Sequence, residues 1–158
     1  MSRAYWAHPR TDAELDRHLV GLITLLDDWG PVASADEATS LHRKVRVQVR
    51  IPTVEVPGMR IVLSEDFARD ARTWSLSEYQ YNVVDEGGRR FFGFHHHPLP
   101  RLTGADDAIT HVHCRSSGDT GDHFRGTWVT AEEAFWDFVQ WAAEPIRFPE
   151  CGALRPLV

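Results

Sequence analysis

The run Tyr79-Gln80-Tyr81-Asn82-Val83-Val84, Asp85-Glu86-Gly87-Gly88, Arg89-Arg90-Phe91-Phe92-Gly93-Phe94-His95-His96-His97-Pro98 decides how this chain folds. Aromatic and β-branched residues flank an acidic, glycine-rich turn, the pattern of two antiparallel strands joined as a hairpin. A further short strand is expected over Ile109–Arg115, carrying His111-Val112-His113. Six of the nine histidines fall between His95 and His123. Side chains alternate across a strand, so His95 and His97 share one face while His96 points to the other. The same parity puts His111 and His113 together, opposite Val112.

Working upstream, Lys44-Val45-Arg46-Val47-Gln48-Val49-Arg50-Ile51 alternates strictly between polar and apolar. That is the period of a strand with one face on a core and one in water. Val54–Val56, a Pro57-Gly58 turn and Met59–Leu63 read as a second strand and a third. Val32–Ser40 reads as a connection, Ser64–Thr73 as a polar and partly helical stretch, and Ser116–Gly126, with three glycines, as a loop.

Helices bracket the strands. Thr11 and Glu14 form a capping box ahead of Leu15, Leu19, Leu22, Ile23 and Leu26, and Gly30-Pro31 stops the run. Thr130 and Glu133 repeat the signature before Ala131, Phe135, Phe138, Val139 and Ala142, and Glu144-Pro145 ends it. The expected organisation is one domain over 1–158: a helix at 11–29, a sheet with the histidine cluster at 44–115, a helix at 130–144, and a proline-rich tail across the surface. The fold class is α+β, an antiparallel β-sheet with the N-terminal and C-terminal helices packed on one face.

Composition narrows the function. Hydrophobic residues make up 42% and charged residues 25%, ordinary for a soluble domain, and no window approaches a membrane span. The N-terminus lacks the pattern of a signal peptide. Cys114 and Cys151 have no paired spacing and are expected as free thiols in a reducing cytoplasm. The net charge of -6 argues against a protein that coats nucleic acid. The acidity sits on the flanks, because residues 41–129 hold twelve basic against eleven acidic side chains.

Imidazole serves near neutral pH as proton donor, proton acceptor or metal ligand. If the two histidine strands are neighbours, the rings fall within cross-strand reach of about 5 Å. Two chemistries follow: a divalent metal held by three or four ligands, or a metal-free acid–base pair acting on an RNA 2′-hydroxyl. No carboxylate stands at ligand spacing beside His111 and His113, so the metal-free reading leads and neither metal ligand nor cofactor is expected. The catalytic candidates are His97, His111, His113 and His96. Lys44, Arg46 and Arg50, on the polar side of one strand, are candidate phosphate contacts, joined by Arg115. An ordinary solvated sheet edge is the simpler explanation of the first three. Cys114, Ser116 and Ser117 adjoin histidines, but no nucleophile elbow or phosphate-cradling glycine loop accompanies them.

The order Tyr79–Val84, an Asp/Gly turn, Arg90-Phe91-Phe92-Gly93-Phe94, His96-His97-Pro98 and His111-Val112-His113, followed by a helix, resembles the TumE family of bacterial toxins. The resemblance covers roughly residues 45–142. An Asp-Asn pair usual before the His-His-Pro of that family is replaced here by Gly93-Phe94-His95. The resemblance implies a small α+β toxin component of a toxin–antitoxin system, acting on RNA in the cytoplasm and partnered by a helix-turn-helix antitoxin, with no membrane association. His96, His97, His111 and His113 would be its site. The alternative is a metal- or ligand-binding accessory or interaction domain without catalysis.

Overall fold

Alternating apolar residues on successive strands build one continuous sheet. A computed structural model describes residues 10–50, 59–85, 87–88, 90–115, 122–126, 131–143, 151 and 154–157. The strands are β1 (Val32–Ala38), β2 (His42–Arg50), β3 (Arg60–Asp70), β4 (Thr73–Val84), β5 (Phe91–Pro98), β6 (Ala108–Arg115) and β7 (Asp122–Arg125). They form a seven-stranded antiparallel meander in chain order. Among the described residues the helices are α1 (Asp12–Asp27), the short α2 (Pro100–Thr103) between β5 and β6, and α3 (Ala131–Ala143). The α+β architecture, with a helix near each end, is as the sequence leads one to expect.

Thr11 caps α1 through its side chain, and the Glu14 side chain reaches back to the Thr11 amide, so the capping box is present in full. Leu15, Leu19, Leu22 and Leu26 bury the inner stripe of α1. They meet Val45, Val47 and Val49 of β2, Ile61, Leu63 and Phe67 of β3, and Tyr79, Tyr81 and Val83 of β4 in one core. Phe135 and Phe138 of α3 pack on Tyr81. Both helices therefore cover the same face of the sheet, and the opposite face carries mostly polar side chains with Val62, Val84 and Phe91 among them.

Three stretches differ from their sequence reading. Val32–Ala38 is an edge strand rather than a connection, paired along its length with β2. Its small polar residues are almost all exposed, so no apolar alternation marks it. Ser64–Thr73 holds no helix, and β3 runs through to Asp70. Its period is masked because one inward residue is Glu65, buried among apolar neighbours. His123 lies on β7 rather than in a loop. The strand expected at Val54–Val56, the Pro57-Gly58 turn and the Thr130 cap lie outside the described residues.

The cysteines are a further correction. Cys114 and Cys151 form a disulfide, with Cα atoms 5.7 Å apart, and are not free thiols. Cys114 faces the core from β6, and the C-terminal segment runs back along β7. There Arg125 donates its amide to the Arg155 carbonyl and Leu157 donates to that of His123. Proximity across 37 residues of chain leaves no local mark in a sequence. Among the described residues no helix is long and apolar enough to cross a membrane.

Candidate functional site

The register of the strands lays the open face out in rows. One row runs Arg46, Ser64, Gln80, His95, His111, Arg125, each residue opposite the next across the sheet. The next runs Gln48, Val62, Asn82, Gly93, His113, His123. A third runs Arg50, Arg60, Val84, Phe91, Arg115. Residues directly opposite in an antiparallel pair share a face, so β5, β6 and β7 bring His95, His97, His111, His113 and His123 together. Ring centroids lie 4.7 Å apart for His97–His111, 5.3 Å for His95–His111 and 4.4 Å for the stacked pair His113–His123.

His95 is the hub, in ring contact with His97, His111 and His113 and only 4% exposed. Its Nε2 lies 2.7 Å from Asn82 Oδ1. Gly93 makes that contact possible: a Cβ there would collide with Asn82 Oδ1 and approach the Tyr81 carbonyl oxygen to 2.8 Å. The glycine in the middle of a strand thus serves the close approach of a neighbouring amide. His97 Nδ1 donates to the Pro98 carbonyl at 3.0 Å, and its Nε2 is 3.3 Å from His95 Nδ1. His111 is fully buried; its Nδ1 donates to the Ile109 carbonyl at 3.0 Å, while its Nε2 has no hydrogen-bond partner.

Burial favours the neutral form of His95, His111 and His113. It is the leading cause that lowers His95 well below the ordinary imidazole range, reinforced by His111, His113 and His97. Burial lowers His111 to about 4 against the opposing Ile109 carbonyl, with His97 and His123 adding to the depression. Burial, then His123, His111 and Arg115, lower His113 to about 3. At neutral pH His111 and His113 are therefore neutral, each with one N–H and one lone pair.

His96 does not join them. It points to the helix-covered side, where its ring stacks on Tyr79 at 5.6 Å and its Nδ1 lies 3.0 Å from the Thr110 hydroxyl. Its place in the catalytic set is therefore corrected: odd and even positions of one strand cannot serve one site. His95, which the sequence reading left out of that set, lies among the open-face histidines; its parity with His97 was the available signal. Asn82, His123, Arg60 and Arg125 were also missed, because only the strand register brings them to the cluster.

The basic residues divide. Arg46 lines a groove of about 250 Å³ with Val62, Gln80, Asn82, Phe91, His95 and His113. Arg115 lies on the same face with its guanidinium 5.0 Å from the centre of the Phe91 ring. Lys44 is drawn to Asp66 at 3.8 Å, and Arg50 stands exposed at the end of β2 beside Arg60. A polyanion would thus be tracked across the strands from Arg46 towards the histidines, rather than along β2. Searches against protein-family models, curated proteins and solved structures find no match to the chain.

Proposed function

We propose that the chain is an RNA-cleaving growth inhibitor of the toxin–antitoxin kind, with the open face of the sheet as its working surface. The observation that carries this reading is the single groove shared by Arg46, His95 and His113. Arg50, Arg60, Arg115 and Arg125 stand on the same face around it. Arginine suits phosphate because its planar fork donates two hydrogen bonds and its charge persists at every relevant pH. An unprotonated imidazole suits the 2′-hydroxyl, whose proton must leave before its oxygen can attack phosphorus.

In that reaction the 2′-oxygen forms a bond to phosphorus and the bond from phosphorus to the 5′-oxygen breaks. His113, which lines the groove, takes the 2′-proton; water gives a proton to the 5′-oxygen leaving on the opposite side of phosphorus, and the imidazolium returns its proton to the hydroxide so formed. The products are a 2′,3′-cyclic phosphate and a free 5′-hydroxyl. Arg46 and Arg115 offset the charge that builds on the phosphoryl oxygens. The resemblance to TumE toxins supplies the setting, RNA in the cytoplasm and a helix-turn-helix antitoxin as partner. The Cys114–Cys151 disulfide is the feature that stands against a reducing compartment.

The test is incubation of purified protein with end-labelled single-stranded RNA and with the all-deoxy strand of the same sequence. The expected outcome is cut RNA bearing cyclic phosphate ends and intact DNA. RNA left whole at low salt, or equal cutting of both strands, refutes the reading.

A further inference from the structure

We propose that His95, His97 and His111 form a binding site for one divalent transition-metal ion of the zinc type. The inference goes beyond RNA cleavage and stands whether or not the face takes RNA. It rests on where the ring protons must be. His97 Nδ1 and His111 Nδ1 each lie 3.0 Å from a backbone carbonyl oxygen, which can only accept. His95 Nε2 lies 2.7 Å from Asn82 Oδ1, which can only accept. Each neutral ring carries a single N–H. The remaining nitrogens, His97 Nε2, His111 Nε2 and His95 Nδ1, are therefore lone pairs.

One nitrogen from each of the three rings lies within 4.8 Å of those of the other two. His97 Nε2 and His95 Nδ1 face each other at 3.3 Å, an unfavourable meeting of lone pairs unless a cation stands between them. Two nitrogens bound tetrahedrally to zinc at about 2.05 Å are separated by about 3.3 Å. His111 Nε2 is the third, buried with no hydrogen-bond partner, a state that costs free energy in the absence of a ligand. Carbonyl and amide oxygens fixing the far nitrogen of each ring are the outer-shell arrangement that ligating histidines usually have. No carboxylate joins the three among the described residues, so an all-imidazole set favours zinc, cobalt, nickel or copper over magnesium or calcium. Three protein ligands leave a coordination position for an exogenous ligand. With His97 and His111 so engaged, His113 remains the base on the groove.

Asn82 and Gly93 are positioning residues. Asn82 holds His95 with Nδ1 turned inward, and Gly93 leaves room for it. An Asn82 amide turned the other way would instead donate to His95 Nε2, letting His95 Nδ1–H donate to His97 and satisfying the pair without metal.

The experiment is titration of chelator-treated full-length protein with Zn²⁺ by calorimetry, and with Co²⁺ by visible absorption. The expected result is one ion per chain, with the intense d–d bands of four-coordinate Co²⁺. His111→Ala should abolish the Co²⁺ bands. Asn82→Leu should weaken Zn²⁺ binding by roughly 10- to 100-fold, and Asn82→Asp should restore it. His42→Ala, at the exposed start of β2, should bind as the native chain does. Circular dichroism identifies any variant that has lost its fold, in which case Asn82→Leu and Asn82→Asp decide. No stoichiometric binding by the native chain, or a folded His111→Ala that binds unchanged, overturns the site. RNA cleavage by a native chain that takes up no Zn²⁺ in the titration would overturn this inference while leaving the functional reading standing. Metal binding without cleavage would do the reverse.

Discussion

Single residues on this sheet are chosen for what their neighbours require, and the two faces show it differently. On the helix side Glu65 is 1% exposed and accepts from the Tyr81 hydroxyl at 2.8 Å, with His18 Nε2 2.6 Å away. Burial and the Glu65 carboxylate push the Tyr81 phenol well above its ordinary range, so it stays protonated and donating. A buried carboxylate survives only with such partners. Glu65→Ala should cost about 3 kcal/mol by removing the buried acceptor of the Tyr81 hydroxyl and the carboxylate beside His18. Tyr81→Phe should cost less, about 1 to 2 kcal/mol, and urea denaturation with the midpoint compared at constant slope would measure both. The sequence offers no sign of this trio, because an isolated Glu in a polar-looking stretch reads as solvent-facing. The histidines on the open face were legible as a cluster because parity along a strand is local. The displacement of His96 to the other face follows from the same parity, whereas the roles of Asn82 and Gly93 needed the register between β4 and β5.

At the scale of elements, strands and helices with apolar periods were readable and those without were not. The strand β2 and the helix α1 emerge with nearly the boundaries their sequences suggest. The edge strand β1 and the short strand β7 are set by pairing with a partner rather than by their own pattern. The Cys114–Cys151 bond belongs to this scale, since it ties the segment beside β7 to β6 across 37 residues. In the chain-entropy picture a loop of that size is worth about 3 to 4 kcal/mol. Cys151→Ala should lower stability by that amount, read as a fall in the denaturation midpoint. The native chain should match the variant after reduction. An oxidised native chain no more stable than the variant would show that the bond does not form in solution.

The whole molecule gives its sheet two unlike faces. Helices and core occupy one face, and the described histidines of β5 to β7 (His96 apart) gather on the other with five arginines of the same face. Charge over the full chain hides this, because the acidic flanks outweigh a basic patch that only the strand order assembles. If RNA crosses the strands, Arg46→Gln should lower the salt dependence of RNA binding by about 0.7 in log–log slope. Lys44→Gln, at a site where Asp66 already draws the charge, should change it little, a contrast that filter binding across a salt series would measure. The most direct test compares the two faces of one strand pair in the RNA cleavage assay. His113→Ala removes an imidazole of the open face, and His96→Ala one of the helix-covered face. The account predicts a fall of about 100-fold or more for His113→Ala and a rate within a few-fold of native for His96→Ala. Equal loss in both variants, or full activity in His113→Ala, would contradict it.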